Sequence, residues 1–487
     1  MKPFYTALIA LTTTLSAIAE DITNSVIRVA STRQSYNPSQ PWDKTSPRKR
    51  RALAAVLPNS QVLTTAEMVT NANFIQLESS NGEHKLPAEV LAIDYEANLA
   101  LLTPSTDEGK ETLSKFTALQ LSPAAHLGDT VNIVQIEDNG MALVTPGKIQ
   151  GADVVSSFVA GHYFLTYEVK ASMQSAASSF TVPVLKDGKL LGLLTSYSSK
   201  DQLVDIIAPE IIHAFLEDAK DGEYVGFPSL GIGTSRTTDI HFRDWLKLSS
   251  DKGGLYITRV LPNSAADQAG IKQGDVLTSI NGKPLDRRGY YQANGYGQLF
   301  WSHLIRGSHP VGSTLKLGLL RDGKPLEVTT TLKRAPEGII PSHTYGKAPR
   351  YLVKGGLVFQ ELTKSYLQAF GEDWASRAPL NLLDALNHPE DYEEGRKRLV
   401  FISAAIPTPA TLGYESLRSV IVEKVNGQPI EDIPSLIAAF KQVPENGIHT
   451  LKLDGQPDTI YLDAKATDAV DKQLLLRGLP ALSRDKE

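Results

Sequence analysis

Gly254-Leu255-Tyr256-Ile257, Val260-Leu261-Pro262-Asn263-Ser264-Ala265-Ala266, Ala269-Gly270-Ile271-Lys272-Gln273-Gly274-Asp275-Val276-Leu277 and Ile280-Asn281-Gly282-Lys283-Pro284-Leu285 follow one another closely in this chain. The first block reads as a strand, and Asn281-Gly282 is a tight-turn signal, because both central positions of such a turn need φ > 0. A partial echo of the order returns later. Gly356-Leu357-Val358-Phe359 leads, after an insertion, to Val425-Asn426-Gly427-Gln428-Pro429-Ile430 and an amphipathic stretch at Ile433–Phe440. Two copies of one module, the second diverged, is the simplest account.

Upstream of the first copy the pattern is different. From Ser25 to about Ser198 short apolar runs alternate with turns: Val26–Val29, Phe74–Leu77, Val90–Ile93, Leu99–Leu102, Val131–Val134 and Leu190–Leu194 read as strands. Asn81-Gly82 and Asp187-Gly188 between such runs are hairpin signals. Many short strands with frequent turns point to barrels or a sandwich. Pro209 then opens a helix with Ile211, Ile212, Phe215, Leu216 and Ala219 on one face, and Gly222 ends it. A boundary near residue 225 follows.

At the amino terminus, Lys2 precedes an apolar run from Phe4 to Leu15, and Ala17-Ile18-Ala19 supplies small residues. That order is the order of a secretory signal peptide, with cleavage expected after Ala19. The run is shorter than the ~20 residues of a membrane-spanning helix, so no membrane span is expected after cleavage. The protein is expected to be exported, to a periplasm or out of the cell. With no cysteine in the chain, packing rather than disulfides must hold it together. The 487 residues suggest about three domains. A net charge of −5 offers no general attraction to nucleic acid or anionic membrane, and no nucleic-acid partner is expected.

The residues between 24 and 483 resemble the HtrA/Deg serine-protease family, whose members carry a trypsin-like double β-barrel followed by two PDZ modules. Ser264–Leu285 is similar to the family's PDZ core, and Ile207–Glu210 with Tyr224–Ile232 to its join between protease and first PDZ. Gly356–Tyr366, Gly371-Glu372-Asp373-Trp374 and Gly413-Tyr414 look like the plant-type Deg branch. The resemblance implies a mainly β chain with a trypsin-like domain over 20–222, a first PDZ domain over 223–336 and a second, PDZ-like domain over 337–487. It also implies a homo-oligomer, trimer-based in the family.

Serine-protease chemistry needs a nucleophilic hydroxyl, an imidazole to carry its proton and a carboxylate to orient the imidazole. The family's histidine motif matches Leu63-Thr64-Thr65-Ala66-Glu67-Met68-Val69, with Glu67 at the histidine position. The aspartate motif matches Asn98-Leu99-Ala100-Leu101-Leu102, with Asn98 in its place. The serine motif falls on Lys170–Pro183, where three registers put Ser178, Ser179 or Phe180 at the nucleophile. Every register loses the two glycines after the serine, which hold the oxyanion-hole amides cheaply. Loss of the histidine alone removes most of a ~10⁶-fold contribution, and further losses add little. A carboxylate is a weak base toward serine at neutral pH, so a Ser178–Glu67 dyad is the less favoured alternative. A barrel kept for its shape is the expectation, with a serine endopeptidase of protein quality control as the alternative.

Other candidates are weaker. Ten histidines show no metal-ligand spacing, and the neighbours His303 and His309 read as surface-solvated; no metal or other cofactor is expected. Lys170 lies two residues from Ser172, but a Ser–Lys dyad needs a buried lysine. Arg48-Lys49-Arg50-Arg51 reads as a solvated loop. Tyr290, Tyr291, Tyr296, Phe300 and Trp301 read as core or interface aromatics.

Binding has better support. A PDZ module adds a peptide strand to a sheet edge and captures a terminal carboxylate with backbone N–H groups. The family's carboxylate loop matches Ser229-Leu230-Gly231-Ile232; Gly231 allows close approach, and Leu230 and Ile232 would line the apolar pocket. Gly355-Gly356-Leu357-Val358 is the weaker counterpart in the second module, where the insertion from Leu367 to Arg398 is expected to bear on the groove. The expected partners are polypeptides or protein C-termini, with an active protease among the candidates. A structural subunit with closed PDZ grooves is a third reading.

Overall fold

The computed structural model describes residues 22–137, 139–173, 181–249 and 251–486. The chain forms two compact units. One comprises the chain up to Arg33 together with Arg48–Pro336; the other comprises Gln34–Pro47 together with Glu337–Glu487.

The first unit begins with a closed six-stranded barrel. In hydrogen-bonded order its strands are Val26–Arg33, Arg48–Leu57, Gln61–Thr64, Leu99–Pro104, Lys85–Asp94 and Ala72–Glu78. Leu53-Ala54-Ala55-Val56-Leu57 is buried at every position because successive side chains point to opposite faces of a strand. Ala54 and Val56 enter this barrel's core with Ile27, Val29 and Met68. Leu53, Ala55 and Leu57 enter a second cluster. That cluster fills a second closed barrel, of Ala142–Ser156, Tyr163–Lys170, Leu203–Ile207, Lys189–Ser198, Val182–Lys186 and Thr130–Ile136. The chain is therefore mainly β, with a trypsin-like pair of barrels.

The helix Pro209–Asp218 buries Ile211, Ile212 and Phe215 in the same cluster. The sheet that follows runs Ile232–Arg236, Leu255–Val260, Val276–Ile280, Thr314–Arg321 and Lys324–Thr331, with Ile232–Arg236 at one edge. The hairpin Tyr290–Ala293/Gly297–Phe300 and the turn Trp301–Leu304 stand beside it. The aromatic segment packs as an interface, with Tyr163 and Phe300 centroids 6.0 Å apart.

In the second unit a long sheet runs Thr459–Asp463, Ile448–Asp454, Val420–Val425, Val400–Ala405, Leu357–Glu361, Tyr351–Lys354 and Ser483–Arg484. The Gln34–Pro47 segment belongs to this unit. Trp42 meets the Tyr351 ring edge-on at 5.9 Å, and the Arg484 guanidinium lies over both Tyr36 and Tyr351.

Three sequence expectations need correction. Arg48–Arg51 is the start of a barrel strand, not a loop; Arg50 pairs with Glu67 at 2.8 Å and Arg51 with Glu78 at 3.7 Å. His303 is not surface-solvated: its ring stacks on Tyr291, and its Nδ1 is buried without a hydrogen bond among the described residues. At Asn81-Gly82 only Gly82 is left-handed (φ +74°), whereas Asp187-Gly188 and Asn281-Gly282 are left-handed at both positions.

Candidate functional site

The barrel site is built where two strand ends meet. Gln61–Thr64 runs into Thr65 and then the helical turn Ala66–Val69, which carries Glu67. Asn98 sits just before Leu99–Pro104, buried and left-handed at φ +58°, a conformation asparagine tolerates better than most residues. Its Oδ1 accepts the backbone N–H of Glu67 at 2.9 Å. The structure thus brings Glu67 and Asn98 together. The Glu67 carboxylate turns to Arg50 Nη2 at 2.8 Å, and both side chains are about a quarter exposed. Thr65 Oγ1 and Thr181 Oγ1 lie 2.6 Å apart, and Leu53 N–H donates to Thr181 O at 3.0 Å. The strand Val182–Lys186 therefore starts against the Glu67 turn. Ser178, Ser179 and Phe180 lie outside the described residues, as do residues 1–19, which the sequence reading takes as a signal peptide. Lys170 is exposed, and its Nζ donates to Asp201 O at 2.5 Å, so it lacks the burial that a Ser–Lys dyad needs.

His162 is engaged away from Glu67 and Asn98. His162 Nδ1 lies 2.9 Å from Glu96 Oε2 and 3.2 Å from Arg306 Nη1. Arg306 and Arg334 each approach Glu96 at 3.5 Å. Burial pushes the Glu96 carboxyl up, but the His162 hydrogen bond and charge, with Arg306 and Arg334, outweigh it and hold it at about 2. Asp94 beside it accepts from the Tyr224 hydroxyl at 2.7 Å; burial and the Glu96 charge push this carboxyl up. Five segments of the chain meet here, and Asp94 and Glu96 lie four and two residues before Asn98. Nothing in the motif reading marked Glu96 or its partners; the only signal was the acidic pair Asp94 and Glu96 preceding Asn98.

A second polar cluster joins Tyr167, Glu210 and Tyr296. Tyr167 and Tyr296 hydroxyls lie 2.8 Å apart, and Tyr296 donates to Glu210 Oε1 at 2.6 Å. Burial first, and the Glu210 charge second, push the Tyr167 hydroxyl far up.

The loop Ser229-Leu230-Gly231-Ile232 precedes the edge strand. Ser229 N–H donates to Lys333 O at 2.7 Å, and Leu230 and Gly231 carbonyls accept from Ala266 and Leu261 N–H at 3.0 and 2.8 Å. Gly231 is left-handed (φ +72°), and a Cβ there would stand 2.3 Å from Ser264 Cβ. Its N–H donates to Ser229 Oγ at 3.0 Å. Leu230 is 1% exposed and lies in the core, while Ile232 is half-buried at the head of the strand.

The corresponding place in the second unit is filled by the chain itself. Gly355-Gly356 forms the turn between Tyr351–Lys354 and Leu357–Glu361, so Leu357–Glu361 is paired on both sides. Gly355 N–H donates to the buried Asp471 Oδ1 at 2.7 Å, and Lys354 Nζ donates to Asp471 Oδ2 at 3.0 Å. The insertion packs its own cluster, with Leu367, Leu382 and Leu383 against Phe401 and Ile421. The strand Tyr351–Lys354, not the insertion, occupies the edge.

Two models described as PDZ domain match residues 228–332 and 340–478. Protease Do-like 2, chloroplastic, of Arabidopsis thaliana is 25% identical over 85% of this chain and 67% of its own length. Periplasmic serine endoprotease DegP of Escherichia coli is 28% identical over 58% of this chain and 56% of its own. A variant of the HtrA-type protease AlgW with a decapeptide superposes with a TM-score of 0.50 at 16% identity, covering 64% of this chain and 94% of that one. The chain is homologous to the Deg/HtrA proteases and carries two PDZ domains.

Proposed function

We propose that this Deg/HtrA homologue works by binding polypeptides at its first PDZ domain and does not itself hydrolyse them. The observation that carries this reading is the pair Glu67 and Asn98. They stand where the family motifs have histidine and aspartate, in hydrogen-bonded contact through the Glu67 amide. The pair offers no imidazole, and the Glu67 carboxylate faces the Arg50 guanidinium. An ion-paired carboxylate is poorly suited to take a serine proton. The first PDZ domain, by contrast, keeps its strand Ile232–Arg236 at a sheet edge, as strand addition requires. The second has that position filled from within. The role that fits is an adaptor, a chaperone-like factor or a regulator of an active protease.

The test is casein turnover and fluorophosphonate labelling of the purified protein and of a Ser178→Ala/Ser179→Ala double variant, beside binding of C-terminal peptides. Peptide binding without variant-sensitive turnover or labelling is expected. Turnover that the double variant abolishes would establish the endopeptidase reading instead.

The order Lys2, Phe4–Leu15, Ala17–Ala19 supports export to a periplasm or the medium. A mature amino terminus at Glu20 is the expected result of sequencing. A trimer-based mass in solution is expected from the family.

A further inference from the structure

Residues 479–486 lie past the second PDZ domain, 340–478, yet they add to its sheet. The helix Ala464–Leu476 stops just before them, and Gly478, left-handed at φ +100°, turns the chain. Gly478 and Leu479 N–H groups donate to Leu475 O and Leu474 O at 3.1 and 3.0 Å. Leu482-Ser483-Arg484 then runs antiparallel along the outer side of Tyr351–Lys354, with Arg484 opposite Tyr351 and Ser483 opposite Leu352. Val353 N–H donates to Leu482 O at 2.7 Å, and the Tyr351 hydroxyl to Ala481 O at 3.1 Å.

Residues two apart on a strand share a face. Leu482 and Arg484 turn theirs to the protein, while Ser483 is exposed. Leu482 packs on the cluster of Tyr351, Val353, Val470 and Leu474. The Arg484 guanidinium lies over the Tyr36 and Tyr351 rings, 4.9 and 5.3 Å from their centres. Its Nη1 donates to Pro41 O and Pro349 O at 3.2 Å each. Lys44 Nζ stands over the same Tyr36 ring at 5.2 Å. Two aromatic rings and two carbonyls suit a planar guanidinium better than an ammonium. The receiving strand is anchored without the segment: Leu357–Glu361 pairs with its other side, and Asp471 holds Lys354 and Gly355. The segment itself lies on the surface, with none of residues 479–486 buried.

We propose that the outer side of Tyr351–Lys354, with the Tyr36 and Tyr351 rings, is a second polypeptide site. It takes an extended segment that carries a leucine two residues before an arginine. Leu482–Arg484 is the resident occupant and closes the site; it lifts away at Gly478, and a segment of the same chemistry from another polypeptide takes its place. The mode is strand addition. The ladder holds any extended chain, the position beside Val353 selects an apolar side chain, and the rings select arginine. This site asks for no free carboxylate, because its resident arginine is followed by Asp485 and Lys486. It is therefore independent of the Ser229–Gly231 groove.

The test uses fluorescein-labelled, amidated peptides that carry Leu-Ser-Arg between flanks unrelated to this chain, beside versions with Leu→Ala, Arg→Lys or Arg→Ala. Anisotropy reads their binding to the intact chain, to a chain ended after Gly478, and to the full chain cut between Gly478 and Leu479 by a site-specific protease after folding. The Leu-Ser-Arg peptide is expected to bind the ended and cut chains, about 10-fold more weakly with Arg→Lys, and binding is expected to be lost with Leu→Ala or Arg→Ala. The intact chain should bind at least about 10-fold more weakly, because its resident segment competes as an intramolecular ligand. Tyr36→Leu should narrow the preference for arginine over lysine. No binding to the cut chain, or equal binding of all versions, would overturn the proposal. Equal binding to the intact and cut chains would overturn it as well, since the resident segment would then close nothing. The cut is made after folding, so the proposal stays open to refutation even if the ended chain does not fold. Amidation keeps these peptides from carboxylate capture, so failure here leaves the first PDZ reading standing.

Discussion

Asn98 Oδ1 accepts the backbone N–H of Glu67 at 2.9 Å, so the two residues that the family resemblance sets at the histidine and aspartate positions are joined in space. What persists is a structural contact: a short side chain on a left-handed residue satisfying a helical-turn amide. The contact keeps the shape of the cleft without depending on what Glu67 carries at its end.

Asn98→Ala removes that acceptor, leaves the Glu67 amide unpaired and places alanine at φ +58°. A cost of about 1–3 kcal/mol is expected. Asn98→Asp keeps an acceptor and is expected to lose much less. Urea unfolding of the two variants followed by intrinsic fluorescence measures the difference, and equal losses would refute the account.

Gly231 and Gly270 have nearly equal φ, +72° and +73°, but different surroundings. An alanine Cβ at 231 would meet Ser264 Cβ at 2.3 Å, while at 270 nothing lies within 4 Å. Gly270→Ala should therefore lose about 1 kcal/mol from strain alone, and Gly231→Ala distinctly more, together with C-terminal peptide binding. Thermal unfolding of both variants isolates the collision from the backbone term.

Glu96 is held at about 2 by His162, Arg306 and Arg334 despite its burial. An unfolded glutamate titrates near ~4.3, so this stabilisation is complete above that value and is lost as the pH falls toward 2. Asp94 is shifted the other way by burial and by Glu96, so the comparison must be made against Glu96→Gln rather than across pH alone. At pH 7 that variant should lose about 3–5 kcal/mol, because Arg306 and His162 stay buried without their anion. The gap to wild type should begin to close below about pH 5 and be lost only as the pH falls through about 2, as read by urea midpoints.

Asp471 fills the second PDZ loop from inside, taking Gly355 N–H and Lys354 Nζ. Asp471→Ala should cost about 1–3 kcal/mol in the second unit by leaving the buried Gly355 N–H unpaired, while Lys354 keeps Asp468 at 2.5 Å. It should not create C-terminal peptide binding there, since Tyr351–Lys354 still pairs with Leu357–Glu361. Hydrogen exchange of the Tyr351–Lys354 amides reports the first effect, and peptide anisotropy in a Gly231→Glu background the second.

The strands, the tight turns at Asp187-Gly188 and Asn281-Gly282, the Pro209 helix and the two PDZ modules could all be read from the residues alone. Each is specified locally, by alternation along a strand or by residues that tolerate φ > 0. The placing of Glu67 and Asn98 at the histidine and aspartate positions rests on motifs that align without a gap, and remains part of the proposal. Only tertiary structure revealed that Arg50 faces Glu67 and that Arg48–Arg51 is a strand. It alone joined Arg306 to His162 across 144 positions and Arg334 to Glu96 across 238. It alone assigned Gln34–Pro47 to the second unit and set Tyr351–Lys354 against the second PDZ edge. Contacts of that kind join residues distant in the chain through burial and charge, and neither leaves a periodic trace in the order of the amino acids.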